Sequence, residues 1–203
     1  MEEYLKRVYK INIGPDFPCR IDGFTRKRGL PRLFRKLGYR VGAEIGVEYG
    51  AQSIRFCREF CKETTGLKLL CIDSWEPYDF DRSKEMSHYK MDPKKNYAMA
   101  QEMLRPYNVT FIKGYSMDVV KTIPEESLDF VYIDANHYYD FIKEDLREWS
   151  KRVRKGGVVS GHDYYVSSNC DVIQAVDEYV KEQGIERWFL TDDTSSSYFW
   201  VKK

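Results

Sequence analysis

The chain lacks an excess of charge of either sign. Its 33 lysines and arginines stand against 32 acidic residues, a formal net charge of +1. Nothing in the bulk electrostatics therefore draws it towards nucleic acid or a membrane surface. It also lacks any apolar run near the roughly 20 residues that a membrane span needs. No apolar stretch of the secretory kind follows Met1-Glu2-Glu3-Tyr4, so a cytoplasmic location is expected. The five cysteines (Cys19, Cys57, Cys61, Cys71 and Cys170) are odd in number and form no C-x-x-C pair, which reads as reduced core residues rather than disulfides or a zinc site. Repeats and low-complexity linkers are absent, and 203 residues suit one domain. Histidine is scarcest of all the chemistry-bearing types, at three.

Two of those histidines fall in two short segments, Tyr132-Ile133-Asp134-Ala135-Asn136-His137 and Gly156-Gly157-Val158-Val159-Ser160-Gly161-His162-Asp163. Each is an apolar, strand-like run ending in Asp and His. A helix predicted between them makes them neighbouring parallel strands with their polar ends on one sheet edge. Ligands bind at the carboxyl ends of strands in open α/β sheets. Two Asp and two His converging there point to a metal or acid/base site.

Regular alternation begins at residue 41. Strands are expected at 41–46, 67–73, 109–113, 128–134, 157–160, 188–191 and 198–201, and helices at 51–62, 96–105, 139–152 and 171–182. Ile142, Leu146, Trp149 and Val153 recur at helical spacing. Alternating strands and helices imply a parallel sheet covered on both faces. The last two strands are joined by Asp192-Asp193-Thr194-Ser195-Ser196, too short for a crossover, so they must pair antiparallel. Residues 1–40 read as basic and irregular, with one helix near 30–37; Arg26-Lys27-Arg28 has two readings, contact with an anionic group or, preferred, a solvated face.

The first strand ends Ala43-Glu44-Ile45-Gly46-Val47-Glu48-Tyr49-Gly50, a G-x-x-x-G turn into a helix where the backbone can approach a ligand closely. The second ends Ile72-Asp73-Ser74-Trp75, placing an acid where both ribose hydroxyls could donate to it. Glu44, Gly46, Gly50 and Asp73 together suggest an adenosine-containing cofactor.

The order E-I-G-x-x-x-G, I-D-S-W, F-V-Y-I-D-A-N-H-Y-Y, G-G-V-V-S-G-H-D-Y resembles class I S-adenosylmethionine-dependent methyltransferases, nearest the macrolide-sugar and antibiotic O-methyltransferase branch. The likeness spans about residues 41–203. It implies a Rossmann-like, doubly wound seven-stranded sheet, mostly parallel with the last strand antiparallel, and an S-adenosylmethionine-binding domain at 41–203; residues 1–40, outside the likeness, are read as a helical and irregular extension that would cap the substrate. It implies a cofactor site made of Glu44, Gly46, Glu48, Gly50, Asp73, Ser74, Trp75, Tyr115, Ser116, Met117 and Asp134. Asp134 and Asp163 match acidic ligands of a divalent metal, Mg²⁺ or Mn²⁺. His162 beside them either joins the metal, favouring a softer ion such as Mn²⁺ or Fe²⁺, points away, or marks a metal-free site. His137 matches a general base, acting with Asp134.

The expected reaction is methyl transfer to a hydroxyl of a small molecule, a sugar or natural product, with no nucleic-acid or membrane partner and with homo-oligomerisation left open. Alternatives are a metal-independent N- or O-methyltransferase, a nicotinamide oxidoreductase (disfavoured by the glycine spacing and terminal hairpin), and a non-catalytic cofactor-binding protein of the same fold. Asp134 has a second reading as a helix cap, and His137 as a satisfied loop residue. The polar, aromatic stretch 76–95 is expected to be a lid, forming the acceptor pocket with residues 1–40 and 164–169.

Overall fold

The computed structural model describes residues 1–61, 66–77, 92–166 and 170–203. All but the ends of the expected lid, and half of the expected pocket wall at 164–169, lie outside the described residues.

Fifteen labelled elements carry the description. They are α1 (Glu2–Tyr9), β1 (Cys19–Arg20), α2 (Gly29–Lys36), β2 (Val41–Ile45), α3 (Ser53–Phe60), β3 (Lys68–Asp73), α4 (Pro93–Leu104), β4 (Val109–Lys113), α5 (Ser116–Val119), β5 (Leu128–Ile133), α6 (Tyr139–Arg152), β6 (Val153–Tyr164), α7 (Val172–Glu182), β7 (Trp188–Leu190) and β8 (Ser196–Val201). The strands form one sheet in the order β1-β7-β8-β6-β5-β2-β3-β4. All pairings are parallel except those of β8 with β6 and with β7.

Seven of these strands are the ones expected from the sequence. The eighth, β1, is two residues long, and its parallel pairing with β7 comes from the tertiary fold rather than from any local pattern. Helix α1 was likewise not expected, because only Leu5 of its residues is buried and the apolar stripe is too thin to read.

Side chains of β5 alternate between the two faces. Val131 and Ile133 join the core beneath α5, α6 and α7. Phe130 and Tyr132 join the core beneath α1, α2, α3 and α4. A central strand sealed on both sides explains the near-continuous apolar run of residues 128–133. The first forty residues belong to the second core: Leu5, Ile21, Phe24, Leu30, Leu33 and Phe34 are all fully buried.

From β2 the chain winds outward to β3 and β4, then crosses back to lay β5 on the other side of β2. Strand order reverses between β2 and β5, so a crevice opens above their carboxyl ends. Asp134 leaves β5 there, its amide donating to Ile45 O at 2.7 Å.

Candidate active site

The glycine turn after β2 is shaped first by the protein's own backbone. Gly46 has φ +84°, and a Cβ on it would collide with the carbonyl oxygen of Asp134. Gly50 has φ +90° and lies against Ala100 and Leu104 of α4. Between them Glu48, a non-glycine, also holds a left-handed conformation (φ +53°). Trp75 and Asp163 do the same at the ends of β3 and β6 (φ +43° and +58°). Such conformations cost free energy in non-glycine residues and gather at binding sites. Three of them surround this crevice.

Asp73 organises the turn. Its Oδ2 accepts from the amides of Val47 (2.9 Å) and Glu48 (2.8 Å), and its Oδ1 from the amide of Trp75 (2.7 Å). Trp75 returns the tie, its indole N–H donating to Glu48 O at 2.8 Å. The Trp75 ring packs on Tyr97 and Phe111, so it is a buried strut for the turn.

Glu44 is buried behind the turn and accepts a hydrogen bond from the Ser53 hydroxyl. Burial, opposed by Ser53 and reinforced by the negative charge of Asp134, pushes its carboxyl up to about 8. Burial, with Asp134 and Asp73 nearby, raises Glu48 as well. Asp73 and Asp134 thus act on both Glu44 and Glu48, with Arg26 opposing them at Glu44, an acidic hollow suited to a cation.

On the other side of the crevice stand the two histidines. His162 Nδ1 lies 3.4 Å from Asp134 Oδ1 and 3.1 Å from Asp163 Oδ1. His137 Nε2 lies 2.8 Å from Asp163 Oδ2, without the alignment of a hydrogen bond. Burial pulls both imidazoles towards neutrality, but the carboxylates outweigh it. His162 rises to about 9 through Asp134 and Asp163, and His137 rises through Asp163. Asp163 is driven up by burial and further down by the two histidines, ending well below the ordinary range.

Asp134, His162 and Asp163 each offer a ligand atom, and these atoms all lie within 4.8 Å of one another. The Nε2 of His162 is buried without a partner. Two carboxylates and an imidazole suit a borderline ion such as Mn²⁺ better than Mg²⁺.

Local structure frees these groups for chemistry. The first turn of α6 is capped by Asp171, whose Oδ2 accepts from the Tyr139 amide at 3.1 Å, and Asn136 Oδ1 accepts from the Tyr138 amide at 2.9 Å. The Asp171 amide also donates to His137 O at 2.9 Å, pinning the loop that carries the histidine. Among the described residues no backbone amide reaches the Asp134 carboxylate, so the helix-cap reading of Asp134 does not hold.

The remaining expected residues lie farther along the edge. Ser74, Tyr115 and Gly114 line a groove beside β3 and β4 with Glu76 and Asp118, and the exposed Tyr115 hydroxyl donates to Glu76 at 3.1 Å. Met117 packs against the core under α6. The Ser116 hydroxyl turns inward, donating to Asp145 and accepting from Trp149 Nε1 at 2.7 Å. A second cleft, between the ends of α6 and α7 and lined by Arg147, Tyr179 and Trp200, contains none of the expected residues.

Sequence reasoning missed Arg26. Its Nη1 lies 3.9 Å from Asp134 Oδ2, with both side chains about three-quarters buried. The signal was the basic run itself, but nothing local said that the β7–β8 loop would hold it at this edge.

Residues 43–164 match the profile of a family described as methyltransferase domain. The chain belongs to that family. No curated protein matches it in sequence. Among solved structures it is similar to an O-methyltransferase from Bacillus cereus in complex with SAH, at 18% identity and TM-score 0.61, covering 100% of this chain and 92% of the other. It is similar to an O-methyltransferase of tomaymycin synthesis from Streptomyces achromogenes in complex with SAM, at 20% identity and TM-score 0.61, covering 98% and 87%. It is also similar to an SAH-bound methyltransferase from Podospora anserina, at 14% identity and TM-score 0.59, covering 86% and 77%. This methyltransferase accordingly has the α/β fold of its neighbours. Among the described residues no helix is long and apolar enough to cross a membrane.

Proposed function

We propose that this methyltransferase uses S-adenosylmethionine to methylate a hydroxyl of a small molecule. The observation that carries the reading is the meeting of an acidic hollow with a His–Asp pair at one strand-order reversal. The hollow (Glu44, Glu48, Asp73, Asp134) suits a cofactor bearing sulfonium and ammonium charges. The His137–Asp163 pair suits removal of a proton from an oxygen.

The cofactor, when bound, supplies an activated methyl group on a sulfonium. The turn from Gly46 to Gly50 would hold its amino-acid end. Asp73 would take the ribose, and the groove at Ser74 and Tyr115, beside the turn that carries Ser116 and Met117, the adenine. The protein's remaining task is to align the acceptor for in-line attack and take its proton. Asp163 stands at His137 Nε2, which leaves Nδ1 to receive that proton and the carboxylate to stabilise the imidazolium. The acceptor oxygen gains the methyl as the carbon–sulfur bond breaks, and the proton rests on His137.

Asp134, His162 and Asp163 fit a divalent ion by donor type and spacing, and such an ion would orient and acidify vicinal oxygens. One observation favours a metal-independent version of the same reaction: Asp134 already has His162 at 3.4 Å and Arg26 at 3.9 Å, so its charge is met without an ion. The segment 23–28 lies at the same edge and supports a role for residues 1–40 in covering the acceptor.

Calorimetric titration of S-adenosylmethionine, with Mn²⁺ and again with chelator, tests the reading. Binding in both sets the cofactor, and a Mn²⁺ isotherm lost in Asp134→Ala sets the ion. No cofactor binding in either condition removes the proposal.

A further inference from the structure

Arg26 comes from outside the sheet, yet its position is fixed. Its amide donates to Asp193 Oδ2 at 2.6 Å, and its carbonyl accepts from Gln52 Nε2 at 3.2 Å. Two residues earlier, the Phe24 carbonyl accepts from the Asp192 amide at 2.7 Å, and the Gly23 amide donates to Asp192 Oδ2 at 2.9 Å. Phe24 itself is fully buried and stacks on Phe199. The segment is therefore clamped between the β7–β8 loop and the start of α3, and the arginine cannot withdraw with a floppy terminus. Its guanidinium stands 3.9 Å from Asp134 Oδ2. That separation is charge contact without a hydrogen bond, and the guanidinium also meets the buried Tyr132 hydroxyl.

We infer that Arg26 is a resident competitor for Asp134, a fixed cation that sets how tightly Asp134, His162 and Asp163 hold a divalent ion. The inference rests on the divalent-ion reading of that triad. An ion bound to a carboxylate oxygen lies about 2 to 2.5 Å from it, which brings it close to the guanidinium. Two positive centres at that range repel by an amount worth on the order of tenfold in affinity even when screened as in water. Arg26 therefore keeps the ion site weak in the resting protein and neutralises Asp134 when no ion is there. Because Gln52 precedes α3 directly behind the glycine turn, the arginine is anchored to the segment that would cradle the cofactor. The competitor and the cofactor site share one support.

The test is Mn²⁺ titration of the full chain by calorimetry, without acceptor, for wild type, Arg26→Gln, Arg26→Lys and Asp134→Asn. Arg26→Gln is expected to bind Mn²⁺ about tenfold more tightly than wild type, with Arg26→Lys close to wild type and the gap narrowing as salt rises. Arg26→Met, which keeps the aliphatic stem, replaces Gln if that variant unfolds. Mn²⁺ binding that Asp134→Asn abolishes, but that is unchanged or weaker in Arg26→Gln, overturns the inference and leaves the ion reading standing. Lysine behaving like glutamine overturns it too. No Mn²⁺ uptake by any variant removes the ion reading and this inference together.

Discussion

Gly46 and Asp134 touch backbone to backbone: the Cβ that Gly46 lacks would collide with the Asp134 carbonyl. The turn that would hold the cofactor and the strand end that carries the chemistry are thus in direct contact. Gly46→Ala must move one of them. It is expected to lower stability by about 3 kcal/mol or more, combining a left-handed strain with a backbone clash. Gly38→Ala provides the control. Gly38 is also left-handed (φ +76°) but nothing lies within 4 Å of its missing Cβ, so about 1 kcal/mol is expected. Urea midpoints of the two variants check the difference, and equal losses would mean that strain alone explains Gly46.

Two buried carboxyls, with the two histidines of the crevice, set the pH dependence of the protein without ligands. Glu44 is pushed up to about 8 and Asp145 to about 7, in each case first by burial. Each binds its proton more tightly folded than unfolded. Their contribution is therefore full below the ordinary carboxylate range near pH 4 and is lost as pH rises through about 7 to 8. Unfolding midpoints should fall as pH rises from about 4 to about 8, with the raised His137 and His162 extending the fall towards pH 9, and Glu44→Gln should flatten the carboxyl part of it. A midpoint that rises over the same window contradicts the assignment.

Glu44 also predicts a proton signature for cofactor binding. A cation entering the hollow favours the carboxylate, so binding near neutral pH should release protons. Calorimetric enthalpies measured in buffers of different ionisation heat would show it. Glu44→Gln should bind more weakly and lose the buffer dependence, and a buffer-independent wild-type enthalpy would exclude the coupling.

His137→Ala is expected to lower turnover by about 10² to 10⁴ with cofactor affinity nearly unchanged. Near-wild-type turnover would remove the histidine as base. Asp171→Ala separates holding from reacting. It removes the cap on the Tyr139 amide, which should cost about 1 kcal/mol, and it should reduce turnover less than His137→Ala without weakening the cofactor. An Asp171→Ala protein as inactive as His137→Ala would contradict the division of roles.

The central strands were legible because burial on both faces makes them apolar throughout, and the terminal hairpin because its loop is too short for a crossover. Asp134, His137, His162 and Asp163 were legible because polar groups end abruptly apolar runs. The packing at Gly46 was not: the glycine turn was read for a ligand, and the contact of Gly46 with the Asp134 backbone is made only by the tertiary fold. The inward anchoring of the Ser116 hydroxyl on Asp145 and Trp149 of α6 was not legible either, because that pairing is made only when two distant segments pack. Arg26 looked solvated because its clamp, Asp192 and Asp193, lies at the far end of the chain. Local pattern reports which face a residue buries. It does not report which remote partner meets it.

The reversal of strand order between β2 and β5 also governs how the site comes into being. Its groups are drawn from β2, β3, β5 and β6, none of which can pair with its spatial neighbour until intervening helices have closed the chain. Such non-local pairing is slow relative to local contacts, and a partly formed sheet contains no fragment of the site that could work alone. Binding competence should therefore emerge late in refolding and in a single step, making ligand capture a marker of the completed sheet.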